Sequence, residues 1–237
     1  MKNKVTDFLL AVFIQGETID LCIPTLQYAS DSTWYSWFND LHVTRFMEQG
    51  LEVNTQEKQV DFYKGLTNSN RLSLIISDKT DYIGTISLSE INLVKKTGEI
   101  ALLLGSKSLQ PNSDMMALEA MARLTTFAFA QMGIERISAG QHHKLIRWQQ
   151  KLELIGYKIE GIKKTGFRKG REVADGTSIA ITLEEYKIIT SIRKALWDNV
   201  DSMRTRVSKL PENPIINNLK EFYDTKLNEY YTQIFNL

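Results

Sequence analysis

A single cysteine, Cys22, in 237 residues rules out an intrachain disulfide and a cysteine-built metal cage. Flanked by Leu21 and Ile23, it reads as a small buried hydrophobe. Excess charge of either sign is also missing. Lys and Arg number 29 against 28 Asp and Glu, a formal net charge of +1, so no long-range field draws the chain to nucleic acid or an anionic membrane. No apolar run approaches the roughly 20 residues needed to span a bilayer. The run Phe8–Ile14 follows Lys2 and Lys4, but it is short for a signal core and has no small-residue cleavage site after it. Internal repeats and low-complexity segments are absent too. These absences imply a soluble, cytoplasmic protein with neither a nucleic-acid nor a membrane partner.

What is present is an ordinary globular composition, 43% hydrophobic and 24% charged, long enough for one sizeable core and an appendage. Residues 8–14 and 19–24 predict an opening hairpin turned at Gly16. Helical spacing follows over 30–39, with Trp34, Trp37 and Phe38 on one face, then over 43–49, then over 57–66 behind a cap at Asn54 or Thr55. Strands are expected at 72–76, 82–88 and 99–104. The unbroken apolar stretch Ile100–Leu104 suits a central strand covered on both faces. A strong helix at 115–132 ends at Gly133, and a strand at 134–139, a helix at 144–155 and strands at 157–163 and 177–182 complete the order. Past Glu185 one amphipathic stripe runs from Ile189 to Leu210, Pro211 and Pro214 break it, and a second follows. We therefore expect a domain over 1–186 and a helical extension over 187–237.

Seven short stretches, in order, carry a resemblance to a known family. They are Trp37-Phe38-Asn39-Asp40 with Val43-Thr44-Arg45, Tyr82-Ile83-Gly84, Gly98-Glu99-Ile100 through Leu104-Gly105, Ala117-Leu118-Glu119-Ala120, Met132-Gly133-Ile134-Glu135-Arg136-Ile137 and Leu154-Ile155-Gly156-Tyr157-Lys158-Ile159-Glu160-Gly161. Over roughly residues 8–186 the chain resembles the GNAT acyltransferases, and within them the branch with ribosomal-protein N-terminal and amino-sugar acetyltransferases. The resemblance implies an α/β (α+β) fold: a mixed, mostly antiparallel central sheet with splayed central strands, flanked by helices, here followed by a C-terminal helical hairpin. It also implies acetyl-CoA as co-substrate, lying in the wedge between strand 99–104 and strand 134–139, and no metal. Backbone at Leu102, Leu103 and Leu104 would hold the pantetheine arm. Gln110, Asn112, Ser113, Asp114 and Met115 would meet the pyrophosphate, and Gln141, after the splayed strand, would lie beside the thioester. Free N–H groups at a helix start favour an anion there. The family's loop ordinarily carries glycines, whereas Gln110–Met115 has none and places Asp114 near the phosphates.

Amine acetylation needs a neutral amine, a positioned thioester and a proton for the leaving thiolate. Glu99 opens the central strand where relatives place a carboxylate base, and Glu90 is a second acid nearby that could share the acceptor site. His142 and His143 follow the splayed strand and titrate near neutrality. They are adjacent and lack a third ligand, so they do not read as a metal site. No tyrosine stands at the matching position of the following helix, which leaves His142, His143 or Tyr157 as proton donors. Trp37, Arg45 and Gln49 are candidates for acceptor contacts. The base stays open between Glu99, Glu90 and the histidine pair. The expected acceptor is a small-molecule amine, an amino-sugar nucleotide ahead of a protein N-terminus. The rival is a non-catalytic interaction module with a degenerate loop. The C-terminal helices are expected to form a homodimer interface or to cover the main domain.

Overall fold

A computed structural model describes residues 4–105 and 113–237. Eight strands form one sheet in the order β1-β2-β3-β4-β5-β6-β8-β7, antiparallel except for the central β5–β6 pair. β1 (Val12–Gln15) and β2 (Asp20–Cys22) form the opening hairpin, shorter than the apolar runs predicted because Val5–Phe8 closes into a helical turn, α1. The turn requires Gly16, since a β-carbon there would lie 2.2 Å from the Ile19 carbonyl oxygen. It is stapled to the helix layer by Glu119 of α4 (Ser113–Ala130). That buried carboxylate accepts from the Glu17 N–H at 2.5 Å, the Thr18 N–H at 2.9 Å and the Thr18 hydroxyl, and pairs with Arg123 at 3.0 Å. A buried charge is tolerable only when satisfied in this way.

Next come α2 (Leu26–Asp31), capped by Thr25, and a 3-10 turn over Trp34–Asn39. The expected helix at 43–49 is absent. Asp40 captures the His42 N–H on its side chain at 2.8 Å and the Thr44 N–H on its carbonyl, so the segment closes into turns instead. α3 (Gln56–Leu66) is capped by Thr55 as predicted. β3 (Leu72–Ser77), β4 (Tyr82–Asn92) and β5 (Thr97–Leu104) form the central meander. β6 (Arg136–His142), α5 (Ile146–Leu154), β7 (Lys158–Lys169) and β8 (Glu172–Thr182) complete the sheet.

The main core lies between the sheet and α4 and α5, and a smaller one lies on the opposite face around Tyr28, Trp34, Trp37, Ile75 and Tyr82. Cys22 belongs to the smaller core, where burial, then Asp20, pushes its thiol up to about 11. The extension does not form the single helix that its spacing suggested. Lys194 adopts φ +67°, ending α6 (Leu183–Arg193), and the chain turns before α7 (Val200–Ser208). The intervening Leu196 and Trp197, with Met203 of α7, are buried in the main core. α8 (Ile215–Phe222), a π-turn and α9 (Asn228–Phe235) follow. No helix among the described residues is long and apolar enough to cross a membrane.

Candidate active site

The sheet divides at its one parallel junction. β5 and β6 pair at Thr97↔Arg136, Gly98↔Ile137 and Glu99↔Ser138, and no further. Beyond that point β5 stays paired to β4 out to Leu104↔Gly84, and β6 stays paired to β8 out to His142↔Gly176. Residues 100–104 and 139–142 therefore face each other across a wedge, each supported only on its outer side. The inner edge presents strand backbone groups that need a partner. α4 follows β5 in the chain. Its first-turn carboxylate, Asp114, accepts the Met115 N–H at 2.9 Å and is ion-paired with Lys151 of α5, which neutralises it.

Register fixes which side chains share a face, because cross-strand partners and alternate residues point the same way. Ser73, Ser87 and Ala101 form one row; Ser89, Glu99 and Ser138 form the next. On this face lies an open groove of about 620 Å³. Ser73, Thr85, Ser87, Ala101 and Leu103 form its floor, and Trp34, Phe38, Phe62 and the segment 47–54 its walls. Glu99 is exposed on the same face, one alternate position from Ala101, at the last paired row before the sheet splits; it stands beside the groove and, like Arg45 and Glu90, is not part of its lining. The flanking hydroxyls turn to backbone: Ser89 donates to the Glu99 carbonyl and Ser138 to the Gly98 carbonyl, each at 3.3 Å.

By the same alternation His142 lies on the groove face, but four residues beyond Ser138, about 13 Å along the strand. Glu99 and His142 are thus not brought together. The His142 ring is buried between Phe46 and Phe167, with centroids at 4.9 and 4.6 Å. Its Nδ1 accepts the Lys144 N–H at 3.1 Å, so the proton of the neutral ring sits on Nε2, 3.6 Å from Glu172 Oε1. Burial first, then His143, pulls its pKa down against the pull of Glu172. His143 is lowered by burial and then by Lys220, and neither of its ring nitrogens has a partner among the described residues. Both imidazoles are therefore neutral at neutral pH.

Several expected site residues take other places. Tyr157 is corrected: it is fully enclosed in the main core, its hydroxyl 2.7 Å from Thr125 Oγ1, and burial pushes its pKa far up, so it reaches no substrate. Trp37 is likewise core, packed under Gly105, while its neighbours Trp34 and Phe38 line the groove. Arg45 is exposed and stacks over Phe46, outside the groove lining; Gln49 lines it. Glu90 is exposed at the irregular end of β4 with φ +50°, away from the lining. Leu103 faces the groove, whereas Leu102 and Leu104 pack half-buried against the main core. Gln141 turns to the helix layer and donates to Gln149 Oε1 at 2.6 Å. Met115 is core, Ser113 is half-buried at the start of α4, and Gln110 and Asn112 lie outside the described residues. Ile100–Leu104 is not covered on both faces as expected, since Ala101 is exposed. Sequence reasoning also passed over Arg71 and the hydroxyl row of the floor. The period-two Thr85-x-Ser87-x-Ser89 inside an apolar strand was the available signal.

Comparison with known proteins falls on these elements. A family profile described as "Acetyltransferase (GNAT) domain" matches residues 21–158. No curated protein matches by sequence. Among solved structures, the Microcin C7 self immunity acetyltransferase MccE, in complex with acetyl-CoA and AMP, superposes with a TM-score of 0.60 at 20% identity, covering 71% of this chain and 94% of that one. A spermidine N-acetyltransferase SpeG chimera from Vibrio cholerae and hSSAT gives 0.62 at 16% identity, covering 72% and 99%. Mycobacterium smegmatis RimJ in complex with CoA-disulfide gives 0.62 at 14% identity, covering 75% and 90%. At such identities the superpositions speak to fold alone.

Proposed function

The chain belongs to the GNAT acetyltransferase family, and from that premise we propose that it is an acetyl-CoA-dependent N-acetyltransferase acting on a small amine. The observation that carries this reading is the end of β5–β6 pairing directly after Glu99, on the face where the groove lies open. Inner-edge backbone of residues 100–104 fits a pantetheine arm that pairs as a strand would, and the N–H groups at the start of α4 fit a pyrophosphate. Asp114 does not oppose that fit, because Lys151 neutralises it. When bound, acetyl-CoA supplies the activated thioester carbonyl. Glu99 removes a proton from the acceptor ammonium, directly or through one water, which frees the nitrogen lone pair. The thioester C–S bond that breaks as the N–C bond forms would release CoA thiolate, which would take its proton from solvent. The groove orients the acceptor and limits the water around it. Within the family we favour an amino-sugar nucleotide as acceptor and the branch that includes amino-sugar and ribosomal-protein acetyltransferases. We place the acyltransferase domain at 1–186, with 187–237 as its packed extension.

The test is calorimetry with acetyl-CoA and with free CoA, followed by acceptor kinetics on Glu99→Gln. We expect both to bind the wild type and the variant alike. The rate constant of the variant should fall by about 10²- to 10⁴-fold, the usual contribution of a general base. Full activity in Glu99→Gln would remove Glu99 from the role. No binding of either nucleotide would favour a non-catalytic interaction module, the reading suggested by the glycine-free stretch Gln110–Met115.

A further inference from the structure

Arg71 stands immediately before β3 and lines the groove. It is half-buried, and its one hydrogen bond runs to a neutral group: Nη1 donates to Ser87 Oγ at 2.9 Å. Of the other half-buried arginines, Arg123 pairs with Glu119, Arg136 with Glu160 and Arg206 with Asp198, while Arg193, outside the groove lining, donates to the Leu154 carbonyl. Arg71 has no carboxylate partner among the described residues. At the groove rim Lys58 and Glu52 pair with each other at 3.5 Å, and Glu48 is exposed, so Arg71 is the cation of the floor whose charge is left unanswered. A guanidinium carries five donors in a planar fork, and withdrawing it from water without a counter-charge is costly. Such a group is satisfied when an oxyanion reaches it and accepts two hydrogen bonds.

We infer that the acceptor amine carries an anionic group, a carboxylate or a phosphate, which Arg71 and Ser87 bind on the groove floor. The inference rests on the acetyltransferase reading above and narrows its acceptor. Ser87 is the cross-strand partner of Ala101 and so the diagonal neighbour of Glu99. Diagonal positions lie about 7–8 Å apart. The anion is therefore held a short molecule's length from the carboxylate that deprotonates the amine. That spacing suits an amine whose anionic group lies a few bonds away, a condition an amino-sugar nucleotide meets through the phosphate next to its sugar. It disfavours a polyamine, which would set a second ammonium against Arg71.

The experiment measures acceptor binding by calorimetry on the full chain, first without any nucleotide and then with CoA present. Matched probes separate the two anion sources: glucosamine 6-phosphate against glucosamine, and glycylglycine against its carboxamide, with spermidine as the cationic comparison. The anionic member of at least one pair should bind about 10- to 100-fold more tightly, the range of a charge-assisted hydrogen bond. Arg71→Met should erase that preference, Arg71→Lys should keep part of it, and both should bind acetyl-CoA as the wild type does. A response from the phosphate pair alone or the carboxylate pair alone supports the inference and names the source. Preference for spermidine or the neutral members, a preference that survives Arg71→Met, or no binding of any probe overturns it. Because the first titration contains no nucleotide, failure to bind acetyl-CoA would count against the acetyltransferase reading alone.

Discussion

Trp197→Ala removes an indole that is 3% exposed and that joins the extension to the acyltransferase fold. The ring sits in the main core with Leu196 and Met203, and its Nε1–H donates to Glu17 Oε2 at 2.9 Å. The same oxygen accepts the Val200 N–H at 2.8 Å at the start of α7. Truncating a buried tryptophan to alanine costs about 3–5 kcal/mol, from lost transfer free energy and the cavity left behind. Glu17 itself is exposed, so water replaces most of the lost hydrogen bond. Against a typical total of about 5–15 kcal/mol this is a large fraction, and for a chain of this length it lowers the melting temperature by roughly 10 °C. Trp197→Phe keeps most of the burial and should cost about 1 kcal/mol. The assay is urea unfolding followed by far-UV circular dichroism, with all variants in one buffer. A single transition is expected, shifted to lower urea with an unchanged slope. A loss below about 1 kcal/mol in Trp197→Ala, or a separate early transition confined to helical signal, would refute the view that the extension shares the core of the domain.

His142 gives a pH dependence whose sign follows from its depressed pKa. The unfolded imidazole titrates near about 6.5 and the folded one below it. The contribution to stability is thus fully present above that value and is lost as pH falls through the window beneath it, by up to about 1.4 kcal/mol per unit. Urea midpoints measured on both sides of that value should show the decline, and His142→Phe should flatten it; an equal decline in the variant counts against the reading. Gly105→Ala places a β-carbon 2.7 Å from Trp37 Nε1, in a side chain that is itself buried. Overpacking of this kind costs about 1–3 kcal/mol, and the displaced end of β5 should weaken acetyl-CoA binding in calorimetry. Gly65→Ala in α3, where nothing lies within 4 Å, should instead gain about 0.5–1 kcal/mol in the same urea assay.

The strands and the helices between them were legible in order because they are local properties, whereas the helix expected at 43–49 gave way to turns closed by Asp40. Thr55 caps its helix, Gly16 makes its turn, and the strands fall where β-branched and apolar residues gather. The wedge was not legible in strand spacing and entered only through the family resemblance. Where β5 stops pairing with β6 depends on two strands separated by an entire helix, and Ile100–Leu104 reads like a covered strand although Ala101 floors an open groove. The helix break at Lys194 was hidden because its left-handed backbone uses lysine rather than glycine, while Ile192 and Leu196 keep the stripe in step across it. Tyr157 looked available beside Gly156, yet Thr125, 32 positions earlier, supplies its hydroxyl partner inside the core. Glu99 was legible as a candidate, but its place on the groove's face of the sheet follows only from the pairing with Ser89 and Ser138.

Splitting a sheet has a mechanical consequence, because the halves β1–β5 and β6–β8 share only three paired positions. Something else must set the width of the wedge. On one face the main core packs α4 against residues of both halves, among them Ile100 and Ile137. On the other, the turn after Asp40 reaches across to the β7–β8 hairpin. Lys169 donates from its ammonium to the Thr44 carbonyl at 2.6 Å and to the Thr44 hydroxyl at 3.1 Å, while Phe46 and Phe167 close on the His142 ring. Burial lowers the pKa of that lysine, with Glu172 opposing the shift. A wedge fixed from both faces requires little ordering when a flexible chain enters it, so less of the binding free energy is lost to rearrangement. The buried histidine thereby earns a positional role beside any chemical one: it fills the joint between two elements that the split sheet cannot hold together by backbone hydrogen bonds.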